Sequence, residues 1–293
     1  MKFTDVEGEH LGGGVVLFRS ALEWEWRSAQ EWIEHALVSE RDQMYAPATH
    51  PETGEPAFLN KSGYYFDTET VESMPRRAAQ IHKTDNKEFK NFLDALESAR
   101  DKYLLKYLEF FPMAFKNIWW KVKGHLVSYS AGVYLGAHSD TSADYVYGLP
   151  EPSNQLATRN TVTVLIYLND SVDSEDELDG ANFVAGHHYF NYLDIGIKPK
   201  KGDILLFPSN YMATHEVLPT LGGIRYSYLG WYSHGSPNPT VNEHVVDPNE
   251  DKELAKYATN VYMPSLRKDF IESANARGRT DLSIPGFSFG ETQ

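Results

Sequence analysis

The feature that most restricts the fold is a change of texture near residue 115. Beyond it, short β-rich runs such as LVSYSAGVYL, TVTVLIYL, DILLF and IRYSYLGWY alternate with clusters of Gly, Pro, Asn and Asp. Such runs are too short for amphipathic helices, and the turn residues between them reverse the chain repeatedly, so this stretch predicts an all-β core. Within TVTVLIYL, Thr163, Leu165 and Tyr167 share one face, while Val162, Val164, Ile166 and Leu168 share the other, because strand side chains alternate. One face is wholly aliphatic and the other offers a phenol.

Residues 20 to 111 read mainly as helix. From Phe89 the pattern is clear, since Phe89, Phe92, Leu93 and Leu96 fall at i, i+3, i+4 and i+7. Asp85 followed by Glu88 resembles a capping box, and Pro112 marks the end. The stretch with Pro47, Pro51, Gly54, Pro56 and Gly63 reads as a long loop between helices, and GEHLGGG as a flexible lead-in to the first β-run. After Pro237 the chain turns polar and predicts a helix around Lys252 to Tyr262. The expected class is mainly β with helical support (α+β). Its expected parts are a largely helical support region at 1–114, a β core at 115–235 and a C-terminal extension with a short helix at 236–293.

Composition removes several functions. The absence of cysteine excludes disulfides, thiolate metal sites, iron–sulfur clusters and cysteine nucleophiles, so any metal must be held by His and carboxylate. Acidic residues outnumber basic ones by 41 to 27, for a formal charge of -14. Such a field repels phosphate backbones and anionic membranes, so the expected partner is a small molecule or a peptide and not nucleic acid or a membrane. The acidic N-terminus does not resemble a secretory signal, and no run approaches the ~20 apolar residues that span a bilayer, so the expectation is a soluble, cytoplasmic protein.

The chemistry concentrates in four places. His138-Ser139-Asp140 follows a β-run, and His215 follows DILLF and a short turn. Residues i and i+2 of an extended segment project to one face, so His138 and Asp140 can meet on one ion, and a distant His can complete a facial set that leaves positions open. That geometry suits Fe(II). H-x-D alone is a weak signal, more often a surface triplet than a site. Arg225 and Ser227 strengthen it, because on a strand they share a face and can together hold a carboxylate at the far end of a dicarboxylic acid such as 2-oxoglutarate. Tyr167, which alone reads more readily as a core tyrosine, is the fourth element.

With these residues assembled, 124 to 233 resembles the catalytic core of the prolyl 4-hydroxylase-like branch of the 2-oxoglutarate and Fe(II)-dependent dioxygenases, including the hypoxia-factor prolyl hydroxylases. The matching runs are YSAGVYLGAHSD, IYLND, LDGANF, GDILLFPS and HEVLPTLGGIRYSYLGWY. The resemblance implies a double-stranded β-helix, a jelly-roll core with the N-terminal helices packed on it. It also implies that His138, Asp140 and His215 bind iron and carry catalysis. Arg225 and Tyr167 then hold the distal carboxylate of 2-oxoglutarate, with Ser227 and Tyr129 lining the same pocket. O2 is the further co-substrate and ascorbate a candidate reductant. Related halogenases carry a small residue where Asp140 stands, so a carboxylate there implies hydroxylation of an aliphatic C–H in a prolyl, peptidyl or amino-acid-like substrate. Tailoring of a small metabolite by hydroxylation, desaturation or cyclisation is the alternative; a cupin-type metalloenzyme and a non-catalytic jelly-roll binding module are the more distant ones.

Of three other features, two read as ordinary and the third as a lid. His187-His188 are adjacent strand residues pointing to opposite faces, so they suit polar or substrate-facing roles better than a second metal. DSVDSEDELDG lacks the spacing of a calcium loop and reads as a solvated turn. The connection from Thr141 to Asn160 is long enough to act as a lid over substrate.

Overall fold

The computed structural model describes residues 1–60, 65–68, 86–118, 120–122, 124–141, 159–234, 260–262 and 271–272. The chain begins with β1 (Lys2–Phe3), β2 (Glu9–Gly12), β3 (Val15–Phe18) and β4 (Leu22–Glu23), followed by helix α1 (Trp26–Met44). Next come β5 (Tyr45–Thr49), β6 (Pro56–Asn60), β7 (Tyr65–Asp67) and helix α2 (Lys87–Phe110). Then follow β8 (Trp120–Val122), β9 (His125–Ser130), β10 (Leu135–His138), β11 (Asn160–Tyr167), β12 (Ser171–Val172) and β13 (Phe183–Ala185). The series ends with β14 (His188–Phe190), β15 (Ile195–Ile197), β16 (Ile204–Pro208), β17 (His215–Val217), β18 (Thr220–Ser233) and β19 (Asn260–Tyr262).

Two sheets face each other. The larger runs β12-β13-β18-β11-β16-β3-β2, and the long β18 also pairs β9 and β8 along its other edge. The smaller runs β10-β17-β14-β15. Rings from the two sheets meet between them, Phe207 of β16 against Phe190 of β14 and His215 of β17. This is the jelly-roll core expected from the sequence.

The alternation read in TVTVLIYL is the alternation of the sheet. Val162, Val164, Ile166 and Leu168 lie in the cluster that joins the outer face to α1 and α2, whereas Leu165 and Tyr167 lie in the cluster inside the barrel. Phe89, Phe92 and Leu96 of α2 are buried on that outer face, Leu93 partly so. Full burial of such side chains contributes about 1.5–3 kcal/mol each, which is what holds the helices against the large sheet.

Several expectations are corrected. The α2 cap is Asn86, whose side chain accepts from the Phe89 N–H at 3.0 Å; Asp85 lies outside the described residues. The expected long loop contains β5, β6 and β7, a three-stranded antiparallel sheet in which Pro47 and Pro56 occupy strand positions. The expected flexible lead-in holds β2, which reaches β3 through a tight turn where Gly13 and Gly14 both have positive φ, the region glycine enters without strain. Asn260–Tyr262, expected as the end of a helix, is a strand pairing β8, while 252–259 lie outside the described residues. Residues 175–177 form an exposed turn of 3-10 helix in which Glu177 accepts from the Ser174 N–H, the solvated turn expected. Among the described residues no helix is long and apolar enough to cross a membrane.

A polar network ties α2 to the outer face. Glu97 accepts from the fully buried Arg100 at 2.8 Å, from Lys121 at 2.6 Å and from the Gly124 N–H at 2.9 Å, and Tyr228 donates to it as well. Gly230 makes room: a Cβ there would lie 2.3 Å from the Arg100 guanidinium carbon. Burial works to raise the Glu97 pKa, but Arg100, Lys121 and Tyr228 outweigh it and hold the carboxyl down at about 2, against 4.5 ordinarily. A depressed folded value means that the contribution is complete above about pH 4.5 and is lost as pH falls toward 2. Wild type should therefore exceed Glu97→Gln by about 3 kcal/mol at pH 6, with the gap closing below pH 3. Denaturant melts of both proteins across that range measure it.

Candidate metal centre and co-substrate pocket

Neighbouring strands β10 and β17 place His138 directly opposite His215, with ring centroids 4.3 Å apart. Each imidazole is held by the carbonyl two residues before it: His138 Nδ1 donates to Gly136 O at 2.8 Å and His215 Nδ1 to Ala213 O at 2.9 Å. A carbonyl only accepts, so Nδ1 carries a proton in each ring, and Nε2 is the nitrogen that a neutral imidazole would offer to a metal. This is the orientation a metal-ligating His requires from its supporting hydrogen bond.

Asp140 lies just past the end of β10, in a turn and not in extended strand. Its position comes from tethers to the large sheet. Asn160 Nδ2 donates to Asp140 O at 3.1 Å, and the Thr141 N–H donates to Ser209 O at 3.0 Å. Thr163 Oγ1 of β11 donates to Oδ2 at 2.5 Å, leaving Oδ1 facing His138 Nε2 at 3.6 Å and His215 Nε2 at 4.0 Å. The three potential ligand atoms all lie within 4.8 Å of one another. Burial works to raise the Asp140 carboxyl, but His215, His138 and Thr163 bring it down to about 2; burial likewise lowers the His215 imidazole, so a neutral, ligand-competent ring is favoured. Among the described residues no second group of this kind comes together.

Deeper in the barrel, β18 carries Arg225 opposite Tyr129 of β9, and Ser227 opposite Tyr167 of β11. Arg225 is 1 % exposed, and its guanidinium carbon lies 5.1 Å from the Tyr129 ring and 5.6 Å from that of Tyr167. Arg225 forms no ion pair among the described residues, and its Nε and Nη2, with Ser227 Oγ, have no hydrogen-bond partner there. The Tyr167 phenol borders the guanidinium closely enough to feel its charge, yet its oxygen lacks a partner of good geometry; burial raises its pKa. A buried cation with orphaned donors is costly by several kcal/mol unless an anion arrives. A planar fork beside a hydroxyl and a phenol fits a carboxylate, and the His, Asp, His set fits Fe(II).

The seven residues singled out in the sequence therefore fall into two groups: His138, Asp140 and His215 together, and Arg225 beside Tyr129 and Tyr167, with Ser227 paired to Tyr167. Sequence reasoning missed three neighbours. Thr163 was assigned to the right face without its hold on Asp140. Trp231 is paired in register with Thr163, and His125 packs on it at 5.1 Å; both have a buried ring nitrogen without a partner among the described residues. His188 is buried against His215, while His187 is only partly buried and lies within the electrostatic reach of Asp173 and Lys198. The expected opposition of their faces is seen. The expected lid falls largely on 142–158, outside the described residues.

Residues 124–233 match the 2OG-Fe(II) oxygenase superfamily. Similar solved structures include a prolyl hydroxylase in complex with a hypoxia inducible factor oxygen degradation domain peptide fragment from Trichoplax adhaerens, at 16% identity and a TM-score of 0.42, covering 76% of this chain and 84% of that one. The viral collagen prolyl hydroxylase of Paramecium Bursaria Chlorella virus-1 matches at 14% and 0.42, covering 77% and 98%. A Pseudomonas putida prolyl-4-hydroxylase matches at 16% and 0.41, covering 76% and 94%. No curated protein matches. The match is confined to the stretch from 124 to 233, which is similar to a 2OG-Fe(II) oxygenase domain.

Proposed function

We propose that this chain is an Fe(II)- and 2-oxoglutarate-dependent hydroxylase, of the prolyl 4-hydroxylase-like branch, acting on an aliphatic C–H of a prolyl, peptidyl or amino-acid-like substrate. The observation that carries the reading is the presence of two half-sites in one barrel. Inward-facing Nε2 atoms of His138 and His215 meet Oδ1 of Asp140, and a buried Arg225 has donors without a partner among the described residues. Iron and 2-oxoglutarate, when bound, supply with O2 the oxidising chemistry that turns the co-substrate into succinate and CO2.

The chain's own residues bind, orient and exclude water. His138, Asp140 and His215 would hold the metal, and Thr163 keeps Oδ2 of Asp140 occupied so that Oδ1 is left to serve as a ligand. Arg225, with Ser227 and Tyr167, anchors the far carboxylate and so fixes which end of the diacid reaches the metal. Phe190, Phe207 and Leu205 keep the interior apolar. Trp231, beside Thr163, presents an apolar ring whose indole N–H has no partner among the described residues, which suits a substrate with an aliphatic ring next to a carbonyl acceptor.

The test supplies Fe(II), 2-oxoglutarate, O2 and ascorbate with prolyl peptides on one hand and free amino acids on the other, and follows succinate and product mass. Succinate formed in step with one added oxygen atom on a prolyl peptide is the expected result. Turnover confined to free amino acids or other small metabolites moves the chain to the tailoring enzymes, and no succinate with any substrate contradicts the proposal.

A further inference from the structure

His188 belongs to no part of the site assembled so far, yet it lies inside it. The ring is 2 % exposed, and neither nitrogen has a hydrogen-bond partner among the described residues. A buried imidazole with two idle nitrogens is unfavourable unless something fills the space before it. Its position follows from strand register. On β14, Phe190 is paired with the metal-end residue His215, and His188 with Val217, one pleat further along. Two residues beyond, a Cβ on Gly186 would lie 3.3 Å from Cδ of Arg225. His188 therefore occupies the step between the metal end and the guanidinium end, and the charged groups that bear on it are His215, Arg225 and His138. Its ring stacks on His215, with centroids 4.8 Å apart and planes 15° from parallel, and packs on Phe190 at 4.9 Å and Phe207 at 5.6 Å. These neighbours are ring faces and edges that leave the nitrogens unsatisfied.

Resting on the functional reading above, we propose that His188 is a positioning residue for the co-substrate, its ring N–H hydrogen-bonding an oxygen of 2-oxoglutarate midway between the metal and Arg225. A diacid that bridges the two ends of the cavity must pass this ring, and a neutral donor there holds a carboxylate or oxo oxygen without adding a second charge.

The experiment separates this role from simple packing against His215. His188→Phe keeps an aromatic ring in the stack and removes the N–H; His188→Leu is a second donor-free variant, and His188→Gln restores an N–H on a flat side chain. Calorimetry on the full chain measures Mn(II) binding first and 2-oxoglutarate binding to the Mn(II)-loaded protein second. Mn(II) affinity of His188→Phe within about twofold of wild type, with 2-oxoglutarate affinity lowered roughly 10- to 100-fold and partly recovered in His188→Gln, is the expected pattern. In turnover assays KM for 2-oxoglutarate should rise while kcat at saturation changes little. Wild-type 2-oxoglutarate affinity in both donor-free variants, or a loss that only follows Mn(II), overturns the assignment while leaving the functional reading intact. Wild-type protein that binds no 2-oxoglutarate overturns both.

Discussion

Replacing His215 with alanine is expected to abolish turnover and to weaken Fe(II) binding by well over a hundredfold. Residues that merely support a metal ligand are worth about 10- to 100-fold in affinity, and a ligand itself exceeds that range. His215 and His138 face each other across β10 and β17, and each is aimed by its own carbonyl, so removing one leaves the other and Asp140 oriented as before. The fold should survive, because the packing that holds α1 and α2 to the sheet lies on the opposite face. His138→Ala and Asp140→Ala should behave alike. Equilibrium binding of Fe(II) under argon, with circular dichroism to check the fold, measures both halves of the expectation. A His215→Ala protein that binds Fe(II) like wild type would place the metal elsewhere.

Arg225→Met should raise the 2-oxoglutarate dissociation constant roughly 10²–10³-fold, the range expected when one partner of a buried, hydrogen-bonded charge pair is removed. Arg225→Lys should recover only part of this, since an ammonium keeps the charge but loses the fork. A second consequence separates a binding role from a structural one. Without an anion, the guanidinium is a buried cation with no ion pair among the described residues, so Arg225→Met should leave the thermal stability of the ligand-free protein unchanged or raise it. Addition of 2-oxoglutarate at about a hundred times its Kd should stabilise wild type by about 2.7 kcal/mol and the variant hardly at all. Thermal melts with and without 2-oxoglutarate measure all of these. A large drop in the melting temperature of ligand-free Arg225→Met would identify Arg225 as a core element instead.

Much of the site was legible because strand parity is strict. Once TVTVLIYL is a strand, Tyr167 and Thr163 must share a face, and Arg225 and Ser227 must do so on β18. The opposition of His187 and His188 was legible in the same way, but not which of them faces inward, because that depends on the pairing of His188 with Val217, a tertiary contact. Asp140 shows the limit of the rule: its carboxylate reaches the two imidazoles from a turn outside the strand, held by Asn160 and Thr163. The three-stranded sheet of β5 to β7 was hidden because proline and glycine mark strand ends as readily as loops, and β6 begins on Pro56. The cap shifted by one residue because Asp85 and Asn86 are both capable acceptors, and the local sequence does not rank them.

One titration bears most directly on the central claim, that a ferrous ion and a diacid share the cavity between His138, Asp140, His215 and Arg225. Wild-type protein under argon receives Fe(II) and then 2-oxoglutarate while the visible spectrum is recorded. A weak charge-transfer band that appears only when both are present, is missing in His215→Ala, and in Arg225→Met needs far more 2-oxoglutarate, is the predicted result. No band in wild type, or an undiminished band in His215→Ala, would contradict it.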